Sequence, residues 1–247
     1  MTDASEQAPH LLLASDRAAA CRLCVQDAGA TASQGVGFAD EVALKDSQWQ
    51  HLINARRAYK AAVSEHYDEV LHEVAQHAEA CGSIGKSDIG ALLLWKRLRA
   101  DTPWAGELMA LPDTTVRATT AAALATARDT ALCRAHAARE GRAALTGLPG
   151  FAHGDALASA VLTAGAPRRM AIYDRRVHAG LRALDLALSN APGRYSRYMH
   201  LLDRLLAAGP HPVTAWTARD LDTALYWLLT APGPAADSSQ IKQTFPE

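Results

Sequence analysis

The sequence predicts an all-α fold, and three observations carry that expectation. Aromatics are only 6% of the 247 residues while alanine recurs throughout, which favours closely packed helices over a β-sandwich. Apolar residues, 49% of the chain, recur at helical spacing in several long segments, and no alternating strand pattern stands out. Gly-bearing bends at 82–85, 147–154 and 193 read as corners inside one domain, and no linker divides the chain. One helical domain over 1–247 is expected, two-lobed with a groove between the lobes. The Pro/Ser/Ala-rich ends, 1–9 and 231–247, are expected to fray.

The elements follow in chain order. DSQWQHLINARRAYKAAVSEHYDEVLHEVAQHAEAC is a long helix or a helix pair with scattered apolar positions. GSIGKSDIGALLLWKRLRA reads as a loop and then a helix capped by Ser87, with Ile89, Leu92, Leu93 and Trp95 facing inward. DTPWAGELMALPD starts a short helix with Thr102 as cap and Pro103 at the first helical position, and Pro112 ends it. Asp113 is expected to cap one long Ala-rich helix running through TTVRATTAAALATARDTALCRAHAA. RRMAIY, which follows Pro167, fits a short extended connector. TARDLDTALYWLL is a helix opened by Thr217 with Asp220 three residues on, close to a capping box.

Composition removes several classes. No apolar run is long enough to span a membrane, and the N-terminus has acids but no basic n-region of a secretory signal. A cytoplasmic chain with reduced thiols is expected from four cysteines without secretory context. Cys21 and Cys24 have metal spacing, and Cys81 and Cys133 can complete a four-thiolate set only if the fold gathers them; buried thiols and no metal are the expectation. Charge is uneven. Residues 131–210 hold 11 Lys/Arg, every one an arginine, against 5 Asp/Glu, in a chain whose net charge is −1. Solvated helix faces account for such a bias, and so does a surface for phosphates, which arginine engages in bidentate fashion.

Within the basic segment lies LTGLPGFAHGDALASAVLTAGAPRRMAIYDRRVHAGL. A helical hairpin over 145–162 with a tight turn at Gly150 would point backbone N–H groups outward, suited to an anion. Leu-Pro-Gly corners more often serve packing alone. Asp174 then opens the next helix, with Arg168, Arg169, Arg175 and Arg176 around it. Asp174 can be simply an N-cap.

The combination resembles the helix-hairpin-helix DNA glycosylase superfamily. The parts are Leu148-Pro149-Gly150-Phe151, the small-residue helix from Asp155 to Leu162, Pro167, the apolar stretch from Met170 to Tyr173, and Asp174. About 40 residues carry the resemblance. It implies a catalytic role for Asp174 and a DNA-binding turn of Gly150, Phe151, Ala152, His153 and Gly154, with the four arginines beside it. Departures are clear: Ala152 stands where the family has a second hairpin glycine, and Gly154 where bifunctional members have a Schiff-base lysine. The four-cysteine iron–sulfur loop of some members is missing after Asp174. A monofunctional enzyme without cofactor is therefore implied, acting as a monomer on a damaged or modified base in duplex DNA.

The chemistry fits these residue types. Breaking an N-glycosidic bond builds positive charge on the sugar and negative charge on the base. One carboxylate stabilises the former and activates water; arginines hold flanking phosphates. The flipped base needs a stacking face, for which Trp95 and Tyr173 lead, with Trp104, Tyr195, Tyr198 and Trp227 behind them. His178 stands one turn beyond Asp174, where it can orient the carboxylate. Two other classes stay open: a non-catalytic DNA-binding hairpin protein, and an all-helical interaction protein in which Asp174 is a cap.

Overall fold

The computed structural model describes residues 44–230. They form ten α-helices and three short 3₁₀ turns, with no strand among the described residues. The expected frayed ends, together with Cys21 and Cys24, lie outside them.

The first long segment is a helix pair. α1 (Asp46–Ala62) ends where Val63 turns extended, and a 3₁₀ turn (Glu65–Asp68) leads into α2 (Glu69–Cys81). α3 (Lys86–Lys96) buries Ile89, Leu92, Leu93 and Trp95 as expected, but Ser87 is not its cap. Gly85 takes that place, because the Asp88 carboxylate reaches back to the Gly85 N–H at 2.8 Å. α4 (Pro103–Ala110) has Thr102 and Pro103 at the expected positions.

The long Ala-rich helix is in fact two, α5 (Asp113–Arg128) and α6 (Arg134–Ala144). Asp129 breaks it: its side chain accepts from the Ala131 N–H at 2.8 Å, a local turn that competes with the helix. Asp113 is the first helical residue and not the cap. Its carboxylate holds the Lys86 N–H at 2.8 Å and Arg117 Nε at 2.7 Å, tying the starts of α3 and α5 together.

α7 (Ala156–Gly165) is the centre of the fold. Leu157 through Gly165 are all buried, the pattern of a helix surrounded by others, and α2, α3, α5 and α6 pack about it. Each fully buried Val or Leu there contributes about 1.5–3 kcal/mol. α8 (Arg175–Ala183) lies against α10 (Ala218–Trp227), which also packs on α1 and on α9 (Arg194–Ala208). The α8–α10 approach needs Gly180, since a Cβ there would sit 2.3 Å from the Leu225 carbonyl oxygen. Thr217 and Asp220 form the expected capping box of α10, with N–H to side-chain oxygen distances of 3.0 and 3.1 Å. Buried side chains from Trp49 to Leu228 make one contiguous core.

Candidate functional site

The site begins in the core. Residues 170–173 connect α7 to α8 outside any helix, and all four are buried. Their backbone groups have no ladder to join, and side chains satisfy most of those in Ala171 to Tyr173. Asp222 accepts from the Ile172 N–H at 2.7 Å, and Ser159 from the Tyr173 N–H at 3.0 Å. The Tyr195 and Tyr198 hydroxyls donate to the carbonyls of Ala171 and Ile172, at 2.9 and 3.3 Å. This segment delivers Asp174 at a fixed place.

Asp174 is the N-cap of α8. Its Oδ1 accepts from the N–H groups of Arg176 and Val177, at 2.9 and 3.0 Å. Its Oδ2 pairs with the Lys96 ammonium, which α3 delivers from its last residue. Both side chains are largely buried, at 13% and 15% exposure.

The pair lines a cleft of about 350 Å³. Its aromatic walls are Trp95, Tyr59, Tyr67 and Tyr226. Its other cations are Arg97, Arg175, Arg176 and Arg219. Thr223 and Ala156, the first residue of α7, complete it with Leu98. Arg219 is held at the back by Asp222 at 2.6 Å and Asp68 at 3.5 Å, and Trp95 donates its indole N–H to Asp68 at 3.2 Å. Burial pushes the Asp222 carboxyl up to about 6 even though Arg219 draws it down. Burial would also lower the Arg219 guanidinium, but Asp222 and Asp68 outweigh it and hold that group above its usual value.

The arginine cluster of the sequence divides. Arg175 and Arg176 line the cleft, and the Arg176 guanidinium lies 4.9 Å from the Tyr226 ring centre. Arg169 turns the other way and donates to the Leu132 carbonyl at 2.8 Å. Burial and the nearby Arg134 lower its guanidinium from the ordinary value. Arg168 is exposed and is not part of the cleft lining.

The turn before α7 is built differently from a simple corner. A 3₁₀ turn (Leu145–Gly147) extends α6, and the Phe151 N–H then closes onto the Leu148 carbonyl at 3.0 Å. Gly150 has φ +86, the value position three of a type II turn demands after Pro149, and Trp104 covers it. Phe151 is buried at 1% exposure, while Ala152, His153 and Gly154 are exposed. Asp155 locks the turn: Arg142 and Arg194 bind its two oxygens at 3.2 and 2.9 Å, and Arg142 also reaches the Gly154 carbonyl at 2.9 Å.

Of the stacking candidates, Trp95 lines the cleft. Tyr173 does not; it is buried, and its hydroxyl pairs with His178 Nδ1 at 2.8 Å, so His178 faces Tyr173. Burial raises the Tyr173 phenol above its ordinary value. Tyr195 and Tyr198 are core, Trp104 covers Gly150, and Trp227 packs edge-on against Tyr59 at 5.6 Å. Sequence reasoning missed Lys96, Asp155, Arg219, Asp222 and Tyr226. Lys96 and Arg219 carried no local signal, because only tertiary packing brings Lys96 to Asp174 and places Arg219 in the same cleft. Among the described residues no cluster of His, Cys, Asp and Glu suits a metal ion, and no helix is long and apolar enough to cross a membrane.

Comparison with family models, with curated proteins and with solved structures returned no match.

Proposed function

We propose that this chain is a monofunctional DNA glycosylase of the helix-hairpin-helix type, with Asp174 as its catalytic group. One observation carries the reading. A helix cap needs only Oδ1 of Asp174, yet Oδ2 meets a lysine inside a cleft walled by aromatic rings and rimmed by arginines. In hydrolysis the N-glycosidic bond breaks with its electron pair leaving on the base. The water oxygen bonds to the sugar C1′, and its proton passes through Asp174 to the base. Asp174 would stabilise the sugar cation, and Lys96, Arg176 and Arg219 would stabilise the departing base. Arg175 and the exposed turn at Ala152, His153 and Gly154 would hold phosphates on either side. The wall of rings supplies the stacking that an extruded base requires.

Release of free base by the purified protein from a panel of duplexes, each with one modified nucleotide, tests this. Release from at least one duplex is expected. No release, together with no duplex binding, would overturn it.

A second reading has its own support in the cap itself. Two backbone donors and Lys96 satisfy Asp174 without any substrate, as they would in an all-helical interaction protein. Under that reading Asp174→Asn changes no DNA assay, since Asn caps about as well as Asp, and costs only the stability of the Lys96 pair.

A further inference from the structure

We infer that the cleft rejects a base carrying a positive charge and accepts an uncharged or anionic base rich in carbonyl groups. This rests on the glycosylase reading above and names its substrate class.

An aromatic pocket ordinarily welcomes cations through its ring faces. Here the chain's own cations already lie against two of those rings, Trp95 and Tyr226. Lys96 Nζ lies 5.9 Å from the Trp95 ring centre and 5.8 Å from that of Tyr226. The Arg176 guanidinium lies 4.9 Å over Tyr226, and that of Arg219 lies 5.6 Å over Trp95. The carboxylates are taken as well. Asp174 is paired with Lys96, and Asp68 and Asp222 stand behind Arg219. Among the described residues Asp174 is the only carboxylate in the cleft lining, against five cations. Arg97 bonds a neutral group, the Tyr226 hydroxyl at 3.3 Å, and Arg176 faces a ring. A cationic base would meet like charge, with no unpaired carboxylate among the described lining residues. A carbonyl oxygen would meet N–H donors that are directional and already positioned. Selection then works by repulsion of the wrong base as well as by attraction of the right one.

Single-turnover base release tests this. The probes are duplexes holding 7-methylguanine or 3-methyladenine, which are cationic, and 8-oxoguanine, uracil or hypoxanthine, which are not. Each rate is divided by the spontaneous rate for the same base, because the cationic bases leave readily on their own. At least one uncharged base is expected to show an acceleration about 100-fold or more above that of either cationic base. Arg176→Ala is expected to narrow the gap. An acceleration for a cationic base equal to or above that for every uncharged one would overturn the inference and leave the glycosylase reading standing. No acceleration for any base, with no duplex binding, would remove the glycosylase reading and the inference with it.

Discussion

Removing the Lys96 ammonium leaves the Asp174 carboxylate with its two backbone donors but no counter-charge in a largely buried place. Lys96→Met is therefore expected to cost about 1–3 kcal/mol of stability in chemical denaturation. Part of that cost should return in the Lys96→Met, Asp174→Asn double variant, because the lost pair is shared. Equal, additive costs would mean that the two side chains do not interact. The arginines separate by the same logic. Arg175→Ala with Arg176→Ala should weaken duplex binding and flatten its salt dependence by roughly one unit of slope per lost phosphate contact. Arg169→Ala should instead lower stability and leave the slope alone, since its guanidinium serves the Leu132 carbonyl. An unchanged slope in the first variant would remove Arg175 and Arg176 from any phosphate surface. The two arginine pairs lie close in sequence and are alike in chemistry, so only the fold, with its turn at 167–169 and the connector after it, sorts them.

At the scale of elements, the turn before α7 and the tie between α1 and α10 each make a prediction. A Cβ at Gly150 would sit 2.3 Å from Trp104, at a φ of +86 that side chains rarely adopt. Gly150→Ala should cost about 1–3 kcal/mol, read from thermal or chemical unfolding. A neutral result would mean that Trp104 moves aside freely. Arg56 on α1 binds Asp220 on α10. Burial alone would raise the Asp220 carboxyl, but Arg56 and Thr217 outweigh it and hold the group below its ordinary 3.8. A depressed carboxylate contributes stability above its unfolded value and loses it as pH falls through the folded one. The stability advantage of the native chain over Asp220→Asn should therefore be full near neutrality and shrink once pH drops below 3.8. A pH-independent difference would contradict the ion pair.

These elements also mark what was legible. The inward face of α3, the Pro103 start of α4 and the Thr217–Asp220 box follow from local spacing, and the structure has them. Ser87 failed as a cap because its neighbour Asp88 closes a box on Gly85, and Asp113 because its carboxylate serves a distant helix start. Asp88 reaches back to Gly85, and Asp113 is engaged by Lys86, 27 residues away. The break at Asp129 was hidden because alanine-rich helix continues on both sides of it.

For the molecule as a whole, the basic bias of residues 131–210 is divided, with some arginines engaged inside the fold and two turned to the cleft. Arg142 and Arg194 hold Asp155, and Arg134 holds Asp203, inside the fold. Arg175 and Arg176 remain for the cleft, joined there by Lys96, Arg97 and Arg219 from outside that segment. The pairing of Asp174 with a lysine 78 residues away has no signature in sequence, since tertiary packing alone makes it. The place of Asp174 at a helix start was legible, because a lone carboxylate opening a helix after an apolar stretch has few neighbours to confuse it. The most direct measurement is single-turnover base release by Asp174→Asn, with duplex binding followed in parallel. Asn preserves the cap, so the fold and duplex affinity should persist. Base release should fall by on the order of 10² or more, the loss of a transition-state interaction of several kcal/mol. A variant that binds duplex and releases base at the wild-type rate would contradict a catalytic Asp174.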